Sequence, residues 1–416
     1  ALMYLSVWYG DTGWLAEMNH YLMKWPLMTW VVFLLGYSYV ASVLPVWTLL
    51  QPRDYINALQ LLSALALIVV GLIYAGIFGG APIDGIRPDL EIVAPAVESS
   101  LSAKQLPLIF PFLFITIACG AISGFHCLVS SGTSSKQLKC ESDARFVGYG
   151  SMLTEGFLAV LVILACVAGL GLGITEKGSV LLGSDAWDSR YTGWATMKGL
   201  GAKVGAFVDG SANFIKALGV PAGFATALMG VFVASFAATT LDTACRLQRY
   251  VVQELAGCFI RKSDATQTAA TPVLTANPIT WLANKHGATI FAVLVAGWMA
   301  SLPAAEGKPP GTGGLILWPL FGATNQLLGG LAFLVIIFWM RRQRVPVWFV
   351  VVPALFMLVL PAWAMGYQIF GQAIGSTESW VEQGRWLLVA IGSISLLLEA
   401  WMIAEAFAAW KRISRH

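Results

Sequence analysis

Long apolar runs separated by short polar stretches make up most of the chain. A helix that crosses a bilayer needs roughly 20 mostly apolar residues, and about nine stretches have that character. They run 27–50, 56–80, 107–131, 147–173, 220–245, 287–303, 314–340, 346–370 and 385–410, with 287–303 the shortest. The pattern predicts an all-α polytopic membrane protein, with 1–416 forming a single transmembrane domain.

Composition agrees with the pattern. Of 416 residues 57% are hydrophobic and 11% are charged, where a soluble domain carries about 25% charge. Mean hydropathy is +0.73, and the 17 Trp suit interfacial belts. The net charge of +3 says less than its distribution. Arg53, Lys136, Lys139, Arg145, Arg246, Arg249, Arg261, Lys262, Lys285, Arg341, Arg342, Arg344, Lys411, Arg412 and Arg415 fall in alternate loops and at the C-terminus. The positive-inside rule then places the C-terminus in the cytoplasm and the N-terminus outside. The loop 81–106 and the long 174–219 segment are read as external. The opening "ALMYLSVWYG" has no basic region before an apolar core, so it is not a signal peptide, and the chain is expected to have lost residues upstream. Six Cys show no paired metal-ligand spacing and are expected to be inert thiols. With four His, none in an HExxH setting, and no nucleotide-binding loop, we expect no metal, no organic cofactor, no nucleic-acid partner, no ATP-driven cycle and no enzyme. The lipid bilayer is the expected surrounding.

Ionisable side chains inside membrane helices are costly and mark pathways. His126 sits roughly 9 Å, and Glu155 roughly 12 Å, inside their runs at 1.5 Å per residue. Asp242 lies at a similar depth, in "ASFAATTLDTACRLQR". The three form a candidate proton relay, since His titrates near neutrality. The plainer alternative pairs Asp242 with Arg246 at i,i+4 and lets His126 bond a neighbouring helix. In "GFHCLVSSGTSSKQLK", Ser130, Ser131 and Thr133 around Gly132 offer hydroxyls and freed carbonyls to Na⁺ at a helix break, and Thr239 and Thr240 offer the same. The alternative is that small residues only permit close packing. In "GYSYVASVLPVW", Gly36, Tyr37, Ser38 and Ser42 precede Pro45, which can open a helix. Asn325 and Gln326, beside Thr324 in "LWPLFGATNQLLGGLAFLV", are either substrate contacts or amide links between helices. Glu399 and Glu405 receive no role.

Several blocks resemble a known family. "VLPVWTLLQPRDYINALQ" (43–60), "FPFLFITIACGAISGFHCLVSSGTSSKQL" (110–138), "GYGSMLTEGF" (148–157), "TTLDTACRLQRYVVQEL" (239–255) and "LWPLFGATNQLLGGLA" (317–332) are similar to the carbon starvation protein A family. That resemblance implies a bacterial inner-membrane transporter linked to peptide uptake under carbon starvation, with relatives that take up pyruvate together with protons. It also implies a LeuT-like inverted repeat with two broken helices, from the amino acid–polyamine–organocation superfamily. Family members carry further spans upstream, so this chain resembles their C-terminal part. By that analogy the 27–50 run corresponds to the second broken helix, and the 107–131 run to the helix that gives hydroxyls to a sodium site. The expected function is secondary active import of peptides or small carboxylates such as pyruvate, coupled to H⁺ or Na⁺. Without the upstream helices no transport is expected. The alternative is a membrane sensor or receptor of nutrient state that does not transport.

Overall fold

The computed structural model of the chain describes residues 2–83, 85–97, 108–176, 178–191, 193, 200–260, 278–303, 308–373 and 378–413. Arg261, Lys262 and Arg415, read above as loop and terminal cations, lie outside these residues. The helices in chain order are α1 (Leu2–Tyr9), α2 (Gly13–Met23), α3 (Leu27–Val43), α4 (Val46–Phe78), α5 (Phe114–Ala121), α6 (Gly124–Val129), α7 (Asp143–Leu164), α8 (Gly183–Tyr191), α9 (Leu200–Ala217), α10 (Ala222–Cys258), α11 (Pro278–Ala283), α12 (Lys285–Ser301), α13 (Trp318–Arg342), α14 (Trp348–Phe370) and α15 (Trp386–Ile413). One small antiparallel hairpin, β1 (Ile174–Glu176) with β2 (Ser179–Leu181), sits between α7 and α8.

Seven stretches among the described residues are long and apolar enough to cross a membrane. They are Val46–Phe78, Ile109–Gln137, Asp143–Leu172, Ala222–Cys258, Gly313–Arg342, Trp348–Phe370 and Trp386–Trp410. An eighth arises if α2 and α3, bent by 104° at their junction, count as one span. Ile73, Ile77, Val352, Leu355 and Leu397 stand exposed on these helices, as side chains facing lipid do. The molecule is a mostly helical, multi-pass membrane protein.

The expected nine spans differ from this count for local reasons. The run 27–50 is no single helix. Leu44 is extended (φ −66°, ψ 150°), because the ring of Pro45 disfavours helix at the residue before it. α3 therefore stops after 17 residues and α4 starts afresh, running 33 residues to Gly79, whose φ of 77° ends it. The run 287–303 becomes α12, also 17 residues, cut off ahead of Pro303. The 174–219 segment, expected as an external loop, holds β1, β2, α8 and the 18-residue α9.

The chain folds as two compact units, 1–105 with 139–297, and 106–138 with 298–416. In the first unit α9 lies in the core. Its Ala212, Phe214 and Ile215 pack with Ala64, Leu65 and Ile68 of α4, Leu161 of α7 and Leu228, Met229 and Phe232 of α10. Glycines permit this approach: a Cβ on Gly210 would strike the Ala165 carbonyl, and one on Gly71 would strike the Phe214 carbonyl. Asn213 then ties the end of the α7 segment, donating to the carbonyls of Gly169 (2.8 Å) and Gly173 (2.9 Å).

In the second unit α13, α14 and α15 pack side by side. Leu320 and Ala323, Met365 and Ile369, and Leu388 share a buried cluster with Trp380. α5 and α6 belong to this unit and are two pieces of one interrupted span. Ile122 (φ −139°, ψ 113°) and Ser123 (φ −127°, ψ 130°) are extended between them. The interruption was expected at Ser130–Thr133. There the chain instead continues as a π turn, Ser130–Ser134, and the break lies several residues earlier.

Candidate functional sites at two helix breaks

In the first unit the break after α3 is held by α10. The last carbonyls of a helix have no internal donors and sit at the negative end of its dipole. Arg246 Nη2 donates to the carbonyls of Ala41 (2.5 Å) and Leu44 (2.8 Å). Arg249 Nη1 donates to the carbonyl of Ser42 (2.7 Å). Both arginines are buried, at 2% and 6% exposure. Asp242, fully buried, pairs with Arg53 of α4 and accepts a hydrogen bond from the Tyr37 hydroxyl at 3.2 Å. Arg53 also bonds Asp54 (2.7 Å) and reaches the Tyr37 oxygen at 3.4 Å. The i,i+4 pairing of Asp242 with Arg246 is therefore not formed, since Arg246 is turned to the α3 carbonyls.

Arg53 and Arg249 were read from sequence only as loop cations, and Arg246 as a loop cation or the partner of Asp242. The spacing Asp242, Arg246, Arg249 (i, i+4, i+7) puts all three on one helix face, which is the signal that could have found them.

The other polar residues near the α3 break divide. Gly36 is exposed, with nothing within 4 Å of where a Cβ would stand. Ser38 is buried and bonds back to the Leu34 carbonyl (2.8 Å). Thr239 and Thr240 both bond back to the Phe236 carbonyl, at 2.7 and 3.3 Å. Glu155 is exposed on α7, and no hydrogen bond or ion pair joins it to Asp242 among the described residues.

In the second unit Asn325 of α13 holds the α5–α6 break. Its Oδ1 accepts from the backbone N–H of Phe125 (2.8 Å). Its Nδ2 donates to Ser123 Oγ (3.0 Å) and to Cys119 Sγ (3.2 Å). Gly124 touches α13 so closely that a Cβ would strike the Asn325 carbonyl and come within 2.5 Å of Leu328 Cβ. Gln326 is fully buried, and neither Nε2 nor Oε1 has a partner among the described residues. His126, Ser130 and Ser131 are exposed, and the two serines bond back to the carbonyls of Cys127 (3.0 Å) and Leu128 (3.3 Å). Thr133 is buried, with its hydroxyl unpartnered among the described residues.

A cavity of about 300 Å³ in the first unit is lined by Ile174, Thr175, Arg190, Asp209, Lys216 and Thr226 with neighbouring glycines and Ala222. Arg190 pairs with Asp209 at 2.6 Å, and Lys216 donates to Asn213 Oδ1 (3.0 Å). Burial pushes the Lys216 ammonium below its ordinary range, against the opposing pull of Asp209.

Comparison with known proteins places this geometry in context. The family model described as carbon starvation protein CstA matches residues 1–177 and 189–364. A peptide transporter CstA of Helicobacter pylori is 35% identical over 350 residues, covering 76% of this chain and 46% of its own length. The pyruvate/proton symporter BtsT of Escherichia coli is 31% identical over 395 residues, covering 81% of this chain and 50% of its own. A peptide transporter CstA of Mycobacterium tuberculosis is 32% identical over 393 residues, covering 85% and 48%. The chain thus spans about half the length of the curated relatives it matches. No solved structure matches it.

Proposed function

The chain belongs to the carbon starvation protein CstA family, and we propose that it serves an ion-coupled secondary transporter of the bacterial inner membrane, importing peptides or small carboxylates such as pyruvate. The observation that carries this reading is the similarity over most of the chain to proteins named as peptide transporters and as a pyruvate/proton symporter. The interrupted α5–α6 span and the break between α3 and α4 support it, because unwound backbone at membrane depth is tolerated where it lines a cavity or meets other protein. The substrate region is the α3–α4 break, with Gly36, Tyr37, Ser38 and Ser42 leading into it and guanidinium groups suited to a carboxylate close behind.

The proton is the favoured coupling ion, on the strength of the symporter relative. Among His126, Glu155 and Asp242 we assign the carrier role to Glu155. Asp242 is committed to Arg53 and Tyr37, whereas Glu155 has no bonding partner among the described residues and is free to exchange a proton. The hydroxyls of Ser130, Ser131, Thr133, Thr239 and Thr240 are the alternative, as Na⁺ ligands. The charge distribution puts the C-terminus in the cytoplasm.

The test uses the full-length gene product in proteoliposomes, with uptake of pyruvate and of a dipeptide followed under an imposed pH gradient, with and without Na⁺. Uptake that follows the pH gradient and is lost in Glu155→Gln supports the reading. Uptake that requires Na⁺ and survives Glu155→Gln moves the coupling to the hydroxyls. No uptake of either substrate under any gradient overturns the transport reading.

A further inference from the structure

A carboxyl group remains that the proposed cycle does not use. Glu399, in the middle of α15, is 4% exposed and has no hydrogen bond or ion pair among the described residues. Its place follows from the packing around it. Near the start of α15, a Cβ on Gly392 would lie 3.0 Å from Met365 Sδ, 3.1 Å from Ile369 and 3.5 Å from Leu320. Near the end, the Trp410 ring meets Phe338 at 5.9 Å and Arg341 at 3.8 Å. The pairs 392–320 and 410–338 share one sequence offset, so α15 and α13 run parallel in fixed register. Glu399, two turns beyond Gly392 on the same face, is thereby level with Leu327 and one residue from the level of Gln326.

The helices facing Glu399 offer no counter-charge. Between Trp318 and Met340, α13 contains no ionisable side chain, and α14 contains only Tyr367, which lies toward the Gly392 end. The nearest charges on α13 are Arg341 and Arg342, at its far end beside Trp410. On α15 itself Glu405 is exposed, and Lys411 and Arg412 follow at the end. α6 touches α13 through Gly124 and brings only the exposed His126 and the Cys127 thiol. An ionised carboxylate here would be an unpaired charge in a membrane helix, so the neutral acid is the form that fits. A neutral acid is also a donor, and the facing helices hold two acceptors short of a donor. Gln326 Oε1 is buried without a partner among the described residues. Pro361 deprives the Met357 carbonyl of its helical donor.

We propose that Glu399 is a proton-binding site, closed between α13, α14 and α15, with the buried Gln326 amide of α13 as the acceptor its proton would take. The site loads when the helices close on it and releases when they part and water reaches the carboxylate. As a part of the transport cycle this rests on the reading above; as a proton site it stands without it.

Infrared spectroscopy of the full-length protein in lipid nanodiscs, titrated upward through neutral pH, tests it. We expect a protonated-carboxyl band that persists above the usual glutamate range and disappears in the nearly isosteric Glu399→Gln, with a shift in frequency in Gln326→Leu. A Glu399→Gln spectrum that keeps every protonated-carboxyl band of the wild type overturns the proposal. The same samples in proteoliposomes keep the two readings apart. A band that is present while the wild type takes up neither pyruvate nor a dipeptide under any gradient sinks the transport reading and leaves the site. Uptake driven by a pH gradient with no such band sinks the site and leaves transport.

Discussion

Two helix breaks, one between α3 and α4 and one within the α5–α6 span, are held by opposite chemistry. At the α3–α4 break the exposed backbone groups are the carbonyls of Ala41, Ser42 and Leu44, and they meet the guanidinium groups of Arg246 and Arg249. At the α5–α6 break a leading group is the N–H of Phe125, and it meets the amide oxygen of Asn325. The end of the helix that is laid open selects the partner. A carboxyl-terminal end carries partial negative charge and takes cations, whereas an amino-terminal N–H needs only an acceptor. The charged break also needs Asp242 to pair with Arg53 behind it, while the neutral break needs no further charge.

That contrast ranks the substitutions that would disturb it. The largest effect is expected for Asp242→Ala, which leaves Arg53 without its buried carboxylate and should cost about 3–5 kcal/mol, read as a fall in the unfolding midpoint in detergent. Next comes Arg246→Met, which strips two carbonyls of their donor and should cost about 2–3 kcal/mol in the same assay. Asn325→Leu removes neutral bonds only, and about 1–3 kcal/mol is expected. A loss from Asn325→Leu larger than that from Asp242→Ala would break the ordering.

The smallest effect lies in a loop of the second unit. The Ser379 N–H donates to Glu382 Oε2 at 2.7 Å, and the Glu382 N–H donates to Ser379 Oγ at 3.2 Å, a capping box. The hydrogen bond from the Ser379 backbone, then that from its side chain, holds the Glu382 carboxyl below the usual range. Its contribution is therefore present above the unfolded-state value and lost as pH falls through the folded one. Glu382→Gln should lower the unfolding midpoint slightly at neutral pH and not at all in acid. A difference that grows on acidification would contradict the assignment.

The sequence made some of this legible and hid the rest, for identifiable reasons. The long apolar runs announced membrane helices, and Pro45 announced the α3 break because its ring acts on its own neighbour. α9 stayed hidden. Gly201, Lys203, Gly205, Asp209 and Gly210 read as loop composition, yet Gly210 is what lets the helix lie against Ala165. Arg246 and Arg249 were read as cytoplasmic cations because hydropathy sees their charge and not the carbonyls they reach. The α5–α6 break was placed too late, at the hydroxyl-rich Ser130–Thr133, because its partner Asn325 is 200 residues away from Phe125. A lone buried carboxylate such as Glu399 could be noticed in the sequence, but only the register of α13 and α15 says what surrounds it.

The most direct test of the charged break is a double-mutant cycle on Arg53 and Asp242, with unfolding of Arg53→Ala, Asp242→Ala and the double variant compared with the wild type. The account predicts that the double variant loses much less than the two single losses combined, with a coupling of about 1–3 kcal/mol. Additive losses would mean that the two charges do not hold each other, and that the α3–α4 break is kept by something other than this pair.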